Sequence, residues 1–202
     1  FNSNGQTITL TSVVAGTGSF SKTGSGSLIL AGTNTYSGAS SVTDGTLYVN
    51  GSTASGSAVS VTSSGSLAGN GTVSGTVSLS AGVTPGATAN SVGNLSTGAF
   101  TFNNGSTYTF NISNVSGTAG TNWDLITSSG TINFNAAPAI TVELTGNPTG
   151  FSNTANYTWK IASGSGITNF SGATITVGTG GFTPSFTGTF DVQQSGNDIN
   201  LV

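Results

Sequence analysis

Apolar and polar residues alternate with a period of two along most of this chain, first in QTITLT (6–11), SLIL (27–30), TLYV (46–49), AVSV (58–61) and TVSLS (76–80). Successive side chains of a strand point to opposite faces of a sheet, so this alternation predicts short β-strands with one buried side. The second half continues with bulkier residues, in AFTF (99–102), TYTFNI (107–112), TINF (131–134), AITVEL (139–144), YTWKI (157–161), ATITV (173–177), TFDV (189–192) and DINLV (198–202). No stretch predicts a helix. Windows rich in Ala, Leu, Glu and Lys are missing, and the intervening Gly, Ser, Thr and Asn are turn formers.

The spacing of the early strands selects among all-β architectures. Their first inward residues, Ile8, Leu28, Leu47 and Leu67, recur at about 20 residues, a period expected of repeat folds rather than of a sandwich. In a parallel β-helix each coil pairs with the next at roughly 4.8 Å, so like residues form interior ladders. The sequence therefore predicts β-solenoid coils over residues 1–100. Over 101–202 the register loosens and aromatics increase, so the solenoid either continues with longer strands or gives way to a sandwich-like β subdomain. Asn34, Asp44-Gly45, Asn50-Gly51 and Asn70-Gly71 are expected at corners, supplying positive φ. Pro85, Pro138, Pro148 and Pro184 are expected in loops or at strand margins, since proline has no N–H to donate.

Composition narrows the functions. Charged residues make up 3% of the 202 residues, with Lys22 and Lys160 the only cations, five acids, no His, Cys or Met, and a net charge of −3. Two lysines cannot neutralise a phosphate backbone, which excludes nucleic acid as a partner. Disulfides and thiolate metal sites are excluded with Cys. No apolar run of about 18 residues predicts membrane insertion, and no signal peptide is present, so the chain reads as mature or excised from a precursor.

GSGSLILAGTNTYSGASSVTDGTLYVNG (24–51) resembles the autotransporter-associated β-strand repeat of bacterial passenger domains, in its GxGxLxLxGxNTYxG start, its VxxGTLxVN finish and the spacing between them. Residues 64–97, with a Pro-Gly corner, and NWDLITSSGTINF (122–134) are similar to the segments that follow the repeat in such proteins. The resemblance implies a right-handed parallel β-helix, export, and an extracellular or cell-surface location. It implies no activity, because the repeat carries no catalytic residue.

Candidate chemistry is sparse. Paired carboxylates would be needed for glycoside hydrolysis, and nothing in the sequence pairs Asp44, Asp124, Glu143, Asp191 or Asp198. A polysaccharide lyase would want Arg, a strong base or calcium, and the calcium nonapeptide repeat is missing. GTGSFSKTGSG (16–26) lacks the ending of a phosphate loop and a helix to follow it. Lys22, expected in a turn, and Lys160, expected outward, offer no buried lysine for an isopeptide bond. No catalytic residue, cofactor or metal is expected. Asn50-Gly51-Ser52 and Asn111-Ile112-Ser113 are acceptor sequences for glycosylation that such a composition produces by chance.

The expected function is therefore structural. Open solenoid ends expose unpaired strand edges, and this chain has neither a charged edge nor a helix to cover them. Head-to-tail self-association into a filament follows as an expectation, with Phe1, Ile8 and Leu10 docking at one end and Ile199 and Leu201 at the other. The alternative is an adhesin binding surface glycans, with Tyr36, Tyr48, Trp123 and Trp159 as a stacking platform. A polysaccharide-degrading β-helix enzyme is the remote third reading.

Overall fold

The computed structural model describes residues 1–202. The interior ladder expected from the early strands is present, rung by rung. β1 (Thr7–Leu10), β3 (Ser27–Leu30), the second half of β4 (Ser40–Val49) and the second half of β5 (Val59–Gly69) pair in parallel, placing Ile8, Leu28, Leu47 and Leu67 in one column. The column continues through Val83 of β8 (Gly82–Pro85), Tyr108 of β11 (Ser106–Asn111), Val142 of β14 (Ala139–Gly146) and Val177 of β17 (Thr174–Phe182).

A second face runs alongside. It comprises β2 (Phe20–Lys22), the first halves of β4 and β5, β7 (Val77–Leu79), β10 (Phe100–Phe102), β13 (Thr131–Phe134) and β16 (Gly166–Thr168), all parallel. The long strands bend from this face to the first at local irregularities. In β4 the register shifts between Val42 and Asp44, with Gly45 at φ 65°, and in β5 the corner residue Ser63 takes φ 56°.

The third face starts as isolated bridges, Thr33 to Ser52 to Thr72, and matures into β6 (Thr72–Val73), β9 (Asn94–Thr97), β12 (Leu125–Ser128) and β15 (Trp159–Ser163). Its last coil is not parallel. β18 (Val192–Ser195) and β19 (Asp198–Leu201) form an antiparallel hairpin, and β19 pairs antiparallel with β15. The only helical turn is a 3₁₀ segment, Phe170–Gly172.

Pairing is continuous across residue 100: β10, β11 and β12 pair in parallel with β7, β8 and β9. The coils lengthen as they go. The equivalent step from Ile8 to Leu28 takes 20 residues, whereas Val142 to Val177 takes 35. A wider cross-section leaves more interior to fill, and the rungs change accordingly. Val42, Val61 and Leu79 give way to Phe102 and Phe134 in one column, the two rings stacking at 5.3 Å. Leu28, Leu47, Leu67, Leu79, Leu95, Phe100, Phe110 and Ile126 are fully buried, each contributing roughly 1.5–3 kcal/mol relative to exposure.

Glycine at the Asn-Gly corners has another use than the one its sequence predicts. Gly51 and Gly71 do not take positive φ. They stack on Gly32, and a Cβ on Gly51 would lie 2.1 Å from the Gly32 carbonyl oxygen, one on Gly71 2.0 Å from that of Gly51. The corner needs glycine because consecutive backbones approach too closely for a side chain.

Three substitutions test this architecture. Leu47→Ala should lose about 3 kcal/mol in a urea titration, as a buried leucine does when its neighbours cannot close the void. Gly71→Ala should destabilise clearly while Gly18→Ala, where a Cβ meets nothing within 4 Å, changes little. Equal stability of the two glycine variants would contradict the stacked corner.

Candidate functional site

The interior holds one acidic and one basic side chain, and each has a structural setting. Asp124, fully buried where β11 turns toward the third face, accepts N–H bonds from Gly93 at 2.9 Å, from the Asn111 backbone at 2.9 Å and from Asn111 Nδ2 at 2.8 Å. Asn111 in turn accepts the Thr145 hydroxyl at 2.7 Å, so one carboxylate organises a corner over successive coils. Burial dominates its protonation and pushes it up to about 7, against the three N–H donors, which favour the charged form.

Lys22 is the second, and its place corrects the turn expected from the sequence. It is the last residue of β2, fully buried, and stands in the same interior column as Val42 and Val61. Its ammonium donates to the carbonyls of Thr23 (3.0 Å), Gly24 and Asp44 (3.1 Å). Burial lowers its pKa, and Asp44 opposes that shift. No amide or acid chemistry is assembled there: its partners are backbone carbonyls. Lys160 lies on the surface and pairs with Asp198 at 2.7 Å, an exposed bridge worth about 0–1 kcal/mol.

The four aromatics expected as a sugar platform are all buried. Tyr36 bonds Ser40 at 2.9 Å, Trp123 donates to the Lys160 carbonyl at 3.0 Å, and Trp159 to that of Val115 at 3.1 Å. A ring whose polar tip finds a partner inside is stable inside, so these residues present no stacking face to solvent. Tyr48, on β4, is buried as well.

The residues expected to dock divide. Phe1 is 52% exposed and packs edge-on against Phe20, while Ile8 and Leu10 are half-buried on β1, whose other side has no partner strand. Ile199 and Leu201 are buried on β19, which is paired on both sides, by β15 and β18. The open edges at that end are instead β16, β17 and β18. β17 is nine residues long, TITVGTGGF, with neither charge nor proline to block pairing. Its openness was not apparent from sequence, because a strand's outer neighbour is decided by where later residues go.

A cluster that strand alternation does not account for lies beyond β14 and β17. Phe182, Phe186 and Phe190 recur every four residues through FTPSFTGTF and converge with Phe151, Tyr157 and Trp159 at ring separations from 5.0 to 6.1 Å. That period in a Pro-, Gly- and Thr-rich loop was the available signal. Elsewhere, no three His, Cys, Asp or Glu side chains converge.

Residues 20–49, from β2 through β4, match the family model of the passenger-associated-transport-repeat. This is the segment that carries the repeat-like sequence, and it builds early coils of the parallel stack. No curated protein matches the chain. The repeat is a structural element of passenger domains and implies a secreted or surface bacterial protein.

Asp124 makes stability depend on pH. Its native pKa, about 7, lies above the ordinary 3.8, so the folded state binds the proton more tightly than the unfolded one. Stability is then greatest below the unfolded value and falls as pH rises through about 7. The melting temperature should decline between pH 5 and 8, and Asp124→Asn should flatten that decline. A wild-type melting temperature that is level or rising over this range would contradict the assignment.

Proposed function

We propose that this protein is a non-catalytic structural module of the bacterial surface, lengthened by strand addition at its ends into an extracellular filament. The observation that carries this reading is the open edge of β17. The chain runs on past β17, yet residues 183–202 turn to the third face and reverse as a hairpin instead of covering it. A long, uncharged edge of this kind is a template for another strand.

β1 offers the matching edge at the other end of the same ladder, TITL, equally free of charge and proline. Stacking one copy on the next would set Val177 beneath Ile8, continuing the apolar column. Half-buried Ile8, Leu10, Val14 and Phe20 at one end, and Ile167, Ile175 and Val177 at the other, would be covered together. The contact is nearly uncharged, so association would depend little on salt.

Negative-stain microscopy over a concentration series tests this. Rods that lengthen with concentration are expected. Val177→Lys places an inward charge at the edge, a device natural edge strands use against pairing, and should leave short monodisperse particles with unchanged circular dichroism. Wild-type particles of constant length at every concentration, or rods that persist in Val177→Lys, would overturn the filament.

A further inference from the structure

We propose that the groove between the 151–158 loop and the 186–190 loop binds a neutral hexopyranose oligosaccharide. The groove encloses about 520 Å³, within the usual range for a small-ligand site. Its walls combine two chemistries. Phe151, Tyr157, Phe186 and Phe190 reach into it as half-buried rings, backed by buried Trp159 and Phe182. Between them stand the side chains of Asn153, Asn156, Thr187, Thr189 and Gln193.

This pairing specifies the occupant. Aromatic carbon suits the C–H faces of a pyranose, while amides and hydroxyls both donate and accept, as sugar hydroxyls require. No charged side chain lines the groove. Lys22 is buried in the solenoid interior and Lys160 is paired with Asp198, so neither serves a phosphate, sulfate or uronate there. A wholly apolar segment would leave the amides unpaired, at a cost for each polar group desolvated.

The groove is also held in shape before any ligand arrives. Asn153 Oδ1 accepts the Thr187 backbone N–H at 2.7 Å, tying the two loops together. The Tyr157 hydroxyl accepts the Ser152 N–H at 2.6 Å, closing its own loop and fixing the ring. Tyr157 stacks on Phe151 at 5.4 Å and on Trp159 at 5.0 Å, the latter pair inclined by only 12°. Rings and amides ordered in advance lower the entropy lost on binding. The site differs from Tyr36, Tyr108 and Trp123, which are buried within the coils.

The test is calorimetric titration of the 202-residue protein with cellohexaose, maltohexaose, mannohexaose and chitohexaose, with tryptophan emission recorded in parallel. Saturable binding of at least one is expected, with an emission change from Trp159 through its contact with Tyr157. Phe186→Ala should weaken binding about tenfold and Asn156→Ala about threefold, the size of one lost contact each. Asn156 is exposed, so its variant retains the fold even if loss of the Phe186 ring disturbs the loop. No saturable binding to any of the four, affinity unchanged in both variants, or tighter binding of an oligogalacturonate would overturn the proposal. Binding that persists in Val177→Lys would separate this site from assembly through the strand edges.

Discussion

Parallel stacking of each coil on the last is the constraint on which the structure depends. Strands along a face pair with the coil before and after them, so side chains at equivalent positions sit one strand spacing apart. A residue is acceptable only if it suits its own neighbours in the column. That condition produces the run from Ile8 through Leu28, Leu47 and Leu67 to Val83. It also produces the glycine stack of Gly32, Gly51 and Gly71, where equivalent corners come within contact distance. Lys22 shows the condition at its limit: a cation heads an aliphatic column only because three carbonyls receive its protons.

Lengthening coils set a second problem, that of filling a growing interior. Leucine and valine rungs suffice where the repeat is near 20 residues; rings enter as it lengthens, at Phe100, Phe102, Tyr108 and Phe134. Rings with polar tips serve a further purpose at this width. Tyr108, Trp123 and Trp159 each donate to a backbone carbonyl, of Ile161, Lys160 and Val115, so the aromatics that fill space also satisfy carbonyls of distant segments. Asp124 does the same for N–H groups at a corner where strand pairing cannot reach them. The interior is thus apolar in its columns and polar where the chain turns.

Solenoids that grow by stacking must also stop or be continued. Here the last coil ends one face in an antiparallel hairpin and leaves open parallel edges, β16 and β17, on the two others. The loops displaced by that reversal gather the phenylalanines of 182–190 against those of the 151–159 segment. The proposed lengthening and the proposed recognition would therefore use different parts of the same end: backbone edges open to further pairing, and a side-chain groove whose chemistry suits a neutral sugar.

Period-two alternation and a 20-residue recurrence were enough to determine the strands, the interior identity of Leu28, Leu47 and Leu67, and the solenoid itself, because a stacked column writes its spacing directly into the chain. The repeat-like sequence of residues 24–51 likewise carried the passenger-type resemblance without help from coordinates. Short strands with one or two apolar residues, such as β6 and β16, left no legible period. Tertiary structure alone decided that Lys22 lies inside, that Tyr36, Tyr48, Trp123 and Trp159 face no solvent, and that Ile199 and Leu201 sit within a sheet rather than at its edge. These outcomes turn on which distant backbone group meets a polar tip, or which later strand covers an earlier one. Alternation reports only that a side chain points to one face; what lies across that face is settled by chain segments up to 53 residues away, as in the bond from Tyr108 to Ile161.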